Sequence, residues 1–350
     1  MKLKGKKLRF LMAMLVLVLA VSVVGCGGEK APEDTEGGDA EAPEEKISIK
    51  FSHNQPVESP EHVGALKFKE SVEAIDPRIE VEIYPALQLG SLREQVEGTQ
   101  MGVINMTMQP IAVVTPFVDD IKMIDFPYLL PKDTEKVFAF LDSALGQESL
   151  DRLEAGQFKG LGYWFGGYKL FTTKDVEVRM PADFEGVKMR TMESPLLLSQ
   201  YQAWGATPIP LPYAELYNAL QQGVVDGNEQ PIQTIYLNKF HEVQGNIIQS
   251  YHGTMMYVVM ANKPWFDGLD ETAQAAIIQA EKDGREAERV AYAESEADYT
   301  NKIIESGVNF YALTDEEINA FKEASLPVWE EHATTDWQKE YLEKVKKALE

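Results

Sequence analysis

Arg190 closes the strand-like segment Lys188-Met189-Arg190. Within forty residues it is followed by the proline-framed Pro208 to Tyr213, an amphipathic stretch through Leu216, Ala219 and Leu220, and the Asp226-Gly227 turn. That order, running from Lys188 to Pro231, can build the wall of a small-molecule site around one fixed cation. A guanidinium presents two parallel N–H donors to a carboxylate, which an ammonium does not. Spacing alone leaves Arg190 two roles: receptor for an anion, or surface arginine paired with Glu185 or Glu193. Other chemistries find no support. The chain has no Gly-x-Ser-x-Gly, His-Glu-x-x-His or phosphate loop, and Gly160-x-Gly162 misses the dinucleotide fingerprint. The five histidines form no metal-ligand pattern, and the single cysteine rules out a disulfide framework or a Cys-rich metal site. No cofactor or metal is expected, and the reading is not an enzyme.

The elements that must hold this stretch alternate between strand and helix. Ile47 to Phe51 and Ile79 to Tyr84 alternate apolar and polar residues as strands do. Ser59-Pro60-Glu61 starts a helix, with serine as N-cap and proline at its first position. Val103 to Met108 reads as a third strand, which puts Gln109 at a crevice-facing end. Gly160 to Phe165 opens a second half, with Trp164 and Phe165 following a strand toward the cleft or packing beneath it. Pro212 to Gln222 reads as a helix ended by Gly223. Tyr251 to Ala261 is an apolar strand returning to the first half. No proline falls between Pro264 and Pro327. A helix capped by Asp270 and running toward Ile304 would then span ~50 Å, enough to back both halves, unless Gly284 breaks it. The pattern implies an α/β fold with largely parallel sheets.

Outside the folded part, Lys2, Lys4, Lys6, Lys7 and Arg9 precede an apolar run from Phe10 to Val21, the pattern of an export signal. Val23-Val24-Gly25-Cys26 resembles the lipobox of bacterial lipoproteins. That resemblance implies cleavage before Cys26 and a lipid on its thiol. Gly27 to Lys46, rich in Gly, Pro and acid, reads as a disordered tether over 26–46. The chain carries 33 basic and 56 acidic residues; without the five basic residues of the leader, 28 remain against 56. Nucleic acid is excluded as a partner by such a surface. A field this negative repels anions, so an anion site has to be built locally.

Several further segments occur in a telling order: Tyr84-Pro85-Ala86-Leu87-Gln88-Leu89-Gly90, Asp125-Phe126-Pro127-Tyr128-Leu129, Lys188-Met189-Arg190 and Gly205-Ala206-Thr207-Pro208. Ala219 through Gly227 and Lys239-Phe240-His241-Glu242-Val243 follow. The ordered set resembles the solute-binding proteins of TRAP transporters, the DctP-type extracytoplasmic receptors. The resemblance implies a two-lobed fold like that of periplasmic binding proteins, with hinge strands and a long helix backing both lobes. The expected division is 1–25 signal, 47–165 with about 253–300 as the first lobe, and 166–252 with the C-terminal helices to 350 as the second. It also implies a membrane-anchored, extracytoplasmic receptor that closes on a small organic acid and delivers it to a TRAP permease. A sensor feeding a membrane signalling protein, or an exported enzyme, are the alternatives.

By the same resemblance Arg190 anchors the ligand carboxylate and Tyr213 flanks the ligand. Asn228-Glu229-Gln230-Pro231 departs from the family order Gln-Glu-Asn-Pro, placing Gln230 where an asparagine contacts the ligand; it either reaches that ligand or is a turn residue. Lys169 stands where relatives have a second arginine, as a looser contact or an exposed lysine. Glu229 is the residue that would hold a cation if one assisted binding.

Overall fold

A computed structural model of the chain describes residues 46–349; the leader, Cys26 and the tether as far as residue 45 lie outside the described residues. The strands, in chain order, are β1 (Ile47–His53), β2 (Ile79–Tyr84), β3 (Met106–Pro110), β4 (Phe158–Tyr168), β5 (Leu170–Thr173) and β6 (Lys188–Thr191). They continue with β7 (Thr207–Pro210), β8 (Gly227–Gln230), β9 (Asn246–Gln249), β10 (Thr254–Asn262) and β11 (Asn309–Ala312). They form two sheets, ordered β2-β1-β3-β10-β4 and β11-β9-β5-β8-β6-β7. Each sheet has one strand antiparallel to its neighbours, β10 in the first and β5 in the second.

Those two strands are where the chain changes sheets. Only Lys169 separates β4 from β5, and its backbone N–H donates to the Gly253 carbonyl at 2.9 Å, tying this crossing to the return from β9 to β10. Gly167, just before the crossing, has φ of 107°, and a Cβ there would lie 2.9 Å from the Tyr292 ring. The position needs a residue with neither a left-handed penalty nor a side chain. In β5 alternation sends Leu170 and Phe171 into separate cores on opposite faces of the second sheet.

Asp270 caps a helix that runs unbroken from Glu271 to Glu305, its side chain accepting from the Ala273 N–H. Ala273, Ala276, Ile277 and Ala280 pack into the core of the first sheet, and Tyr299 and Ile303 into a core of the second. One helix therefore backs both lobes, as the proline-free stretch predicts. Gly284 does not break it. There the helix meets Gly64 of the helix Pro60–Ile75 backbone to backbone; a Cβ on Gly64 would lie 2.8 Å from the Gly284 carbonyl oxygen and 2.7 Å from Trp164. The last helix, Asp336–Leu349, buries Tyr341, Leu342 and Val345 in the core of the first sheet. This corrects the expectation that the C-terminal helices all belong with the second lobe.

Overpacking a closed backbone contact typically costs about 1–3 kcal/mol. Gly64→Ala is accordingly expected to lower unfolding stability by that amount in urea titration, while a wild-type midpoint would show that the two helices can separate without loss.

Candidate functional site

Arg190 lies in β6 and is buried, at 3% exposure. Its Nε–H donates to the Leu211 carbonyl at 2.9 Å, which fixes the plane of the guanidinium, and its centre lies 5.9 Å from the Tyr213 ring. Four cationic side chains are buried among the described residues: Lys122, Lys169, Arg190 and Arg289. Lys122 faces Asp119, Arg289 faces Asp142, and Lys169 faces two carboxylates. Among the described residues Arg190 has no carboxylate within ion-pairing distance, and neither Glu185 nor Glu193 takes that place. Burial lowers its pKa to about 10, which leaves it cationic at neutral pH.

The guanidinium borders a cavity of about 120 Å³ between the two lobes. Leu92, Arg93, Val113 and Pro116 come from the side of the first sheet; Met192, Glu193, Leu211, Pro212 and Tyr213 come from the second. Most of this wall is apolar. Arg93 is half exposed and already meets Glu97 at 2.8 Å and Glu193 at 3.6 Å. The Tyr213 hydroxyl is buried and has no hydrogen-bond partner among the described residues.

A second polar cluster occupies the crossing between the sheets. Lys169 Nζ lies 3.2 Å from Asp125 and 3.1 Å from Glu229 Oε1, the latter a close ion pair without an aligned hydrogen bond. Glu229 Oε2 accepts from the Tyr201 hydroxyl at 2.9 Å and lies 2.8 Å from His252 Nε2. Burial lowers the His252 pKa against the opposing effect of Glu229, so the ring is neutral at neutral pH; Nε2–H donates to Glu229 and Nδ1 accepts from Ser250, 2.7 Å away. Burial acts to raise Glu229, but Lys169 and the hydrogen bonds from His252 and Tyr201 outweigh it and hold the carboxyl far below its usual range. Burial pushes Asp125 up to about 6 even with Lys169 beside it.

The family model for bacterial extracellular solute-binding protein, family 7 (DctP), matches residues 51–336. The chain belongs to this family. It is 35% identical over 292 residues to the C4-dicarboxylate-binding periplasmic protein DctP of Rhodobacter capsulatus, covering 83% of this chain and 87% of that one. Among solved structures it resembles a TRAP periplasmic solute-binding protein from Desulfovibrio salexigens with bound orotic acid. There the TM-score is 0.84 at 30% identity, over 87% of this chain and 99% of that one. It also resembles the periplasmic ectoine-binding protein of the Halomonas elongata TeaABC TRAP transporter, with a TM-score of 0.83 at 29% identity, over 87% of this chain and 99% of that one. As a DctP-family protein it is an extracytoplasmic solute receptor with two lobes, and no helix among its described residues is long and apolar enough to cross a membrane.

In this DctP-family protein the expected site residues separate into two groups. Arg190 and Tyr213 meet at the cavity. The others do not line it. Lys169 is not exposed and does not line the cavity: two carboxylates hold it in the crossing. Glu229 has its carboxylate occupied by Lys169, His252 and Tyr201, which corrects its assignment to a ligand or an assisting cation. Trp164 is fully buried; its Nε1–H donates to Glu281 at 3.1 Å and its ring packs at the Gly64–Gly284 contact, so it is core rather than cleft. Gln109 lies within β3 rather than after it and donates to Gln95 and Thr107; only its Oε1 lacks a partner. Gln230 is buried at the end of β8, opposite Leu170, and its amide makes no hydrogen bond among the described residues. Asp125, Tyr201 and Ser250 were missed. Asp125 alone carried a signal, as the acid opening the Asp-Phe-Pro-Tyr-Leu segment.

Two outcomes distinguish a structural Lys169 from a ligand contact. Removing one partner of a buried ion pair costs about 3–5 kcal/mol. Lys169→Met should therefore lose that much stability in urea; a ligand contact would instead lose affinity with stability intact. Glu229 is lowered from 4.5 in the folded state, so its stabilisation is complete above that value and is lost as pH falls through the folded pKa. Glu229→Gln should melt well below wild type at neutral pH, with the gap narrowing below about pH 4.5. A gap constant across melting curves from neutral to acid pH would refute the ion-pair account.

Proposed function

We propose that this chain is a lipid-anchored receptor, tethered through Cys26, that captures a small organic acid on Arg190 and delivers it to a TRAP-type permease. The observation that carries the reading is a buried guanidinium without an acidic partner among the described residues, facing a cavity between two lobes. A buried charge is costly unless something pairs with it. A ligand carboxylate in the cavity would supply that pair, using both outer nitrogens while Nε stays on Leu211. Closure of the lobes, 47–165 with the return strand and last helix against 166–252, would exclude competing water. Relatives named for C4-dicarboxylates, and solved structures holding orotic acid or succinate, support an acid as cargo. The role is binding and release, without turnover of the bound acid.

A thermal-shift screen of organic acids tests the class, since a ligand that binds only the native state raises the melting temperature. In calorimetric titration of the best hit, Arg190→Ala should lose about 2–5 kcal/mol of binding free energy. Arg190→Lys should recover only part of it. Neutral solutes that shift the melting temperature while acids do not would sink the proposal.

A further inference from the structure

The carboxylate reading of Arg190 leaves open how many negative charges the cargo carries, and the charges around the cleft bear on that number. At the crossing, Lys169 is enclosed by Asp125 and Glu229, both ionised at neutral pH above the pKa of about 6 reached by Asp125. That trio is one negative charge in excess. Arg190 is one positive charge in excess, and no other buried cation among the described residues lacks a carboxylate. These two excess charges offset one another, which leaves Arg190 as the one buried cation, among the described residues, at which an anion gains a charged partner.

Toward Tyr213 the neighbouring titratable side chain is an acid. Glu61 is fully buried, neither carboxyl oxygen has a hydrogen-bond partner among the described residues, and it acts on the Tyr213 phenol through space. A second ligand carboxylate on that side would meet another carboxyl. On the other side Arg93 is half exposed and matched by Glu97 and Glu193. An added carboxylate there would compete with two acids already in place and with water, where ion pairs contribute little. The rest of the wall, from Val113 and Pro116 to Met192, Leu211 and Pro212, offers apolar contact from its side chains, and Ser91, whose hydroxyl already accepts from the Glu94 N–H, adds a neutral group and no cation. The cavity, about 120 Å³, is a little smaller than the ~150 Å³ that admits benzene.

We infer that this receptor is built for a compact monocarboxylate with an apolar body, and that it discriminates against dicarboxylates by leaving their second charge without a cation. A dianion of similar size would bury one uncompensated charge, or hold it in solvent and give up closure around its far end.

The test uses pairs of acids that share one carboxylate end: pentanoate with glutarate, 4-methyl-2-oxopentanoate with 2-oxoglutarate, and benzoate with terephthalate. Each is titrated calorimetrically into the full-length protein and into Arg190→Ala, near pH 7.5 and at constant ionic strength, with pentanamide and benzamide as neutral controls. At least one monoanion should bind, and bind at least about tenfold more tightly than its dianion, with the affinity lost in Arg190→Ala. A dianion that outbinds its monoanion, or silence from all three monoanions, overturns the inference. If that tighter dianion depends on Arg190, the organic-acid reading survives and only the monoanion inference fails. If the amides bind as well as the acids, or Arg190→Ala changes nothing, the organic-acid reading fails with it.

Discussion

The ion cluster of Lys169, Asp125 and Glu229 is the constraint on which the rest of the molecule depends. It occupies the one-residue gap between β4 and β5, where the chain leaves the first sheet for the second. Desolvating three charges is tolerable only with dense compensation, and Tyr201, His252 and Ser250 provide it. His252 in turn stacks on Phe171 at 4.2 Å, linking the polar cluster to the aromatic core that Phe184, Trp204 and Phe321 complete. The crossing is thus fixed in position and joined to the second lobe through both hydrogen bonds and packing. β8 carries Glu229 and pairs with β6 at Met189, one residue before Arg190. The placement of Arg190 is thereby tied to the strand that carries the hinge cluster.

This arrangement would let an acidic protein host the proposed anion site. The general field opposes anions, and exposed cations would be screened within about 10 Å in ordinary salt. A buried guanidinium is not so screened, and its fixed plane needs no reorganisation when a carboxylate arrives. The two interior cations near the hinge have opposite tasks. Lys169, flexible and monodentate, is satisfied internally; Arg190, planar and bidentate, is held by one nitrogen and presents the others.

Much of this was legible in the chain. The alternation of β1 and β2, Ser59 and Asp270 as caps, and the proline-free run to Ile304 all rest on local rules, and the structure follows them. Arg190 lies in a strand, as its segment predicts, and the agreement of strand, residue type and motif is what singles it out. What failed was non-local or two-sided. Lys169 finds Asp125 44 residues earlier and Glu229 60 residues later, and neither spacing is a motif. Trp164 lies on a strand buried on both faces, where alternation no longer separates cleft from core. The amphipathic last helix shows that it has an apolar face, but its sequence does not say which sheet covers it.

The contact between Gly64 and Gly284 also constrains motion. Helices that pack through side chains can slide by small repacking, the basis of shear movements. Here carbonyl meets backbone with Trp164 filling the remaining space, so this contact, together with Ala273, Ala276, Ile277 and Ala280 in the same core, registers the long helix to the first lobe and leaves it no room to translate along it. Relative movement of the lobes is left to rotation about the strand crossings, with the unbroken helix acting as a rigid lever beyond its pinned point. A small change of backbone angle at residues 167–169 then becomes a larger displacement at the cavity mouth, and the packing of Tyr299 and Ile303 against the second lobe is the contact that has to adjust.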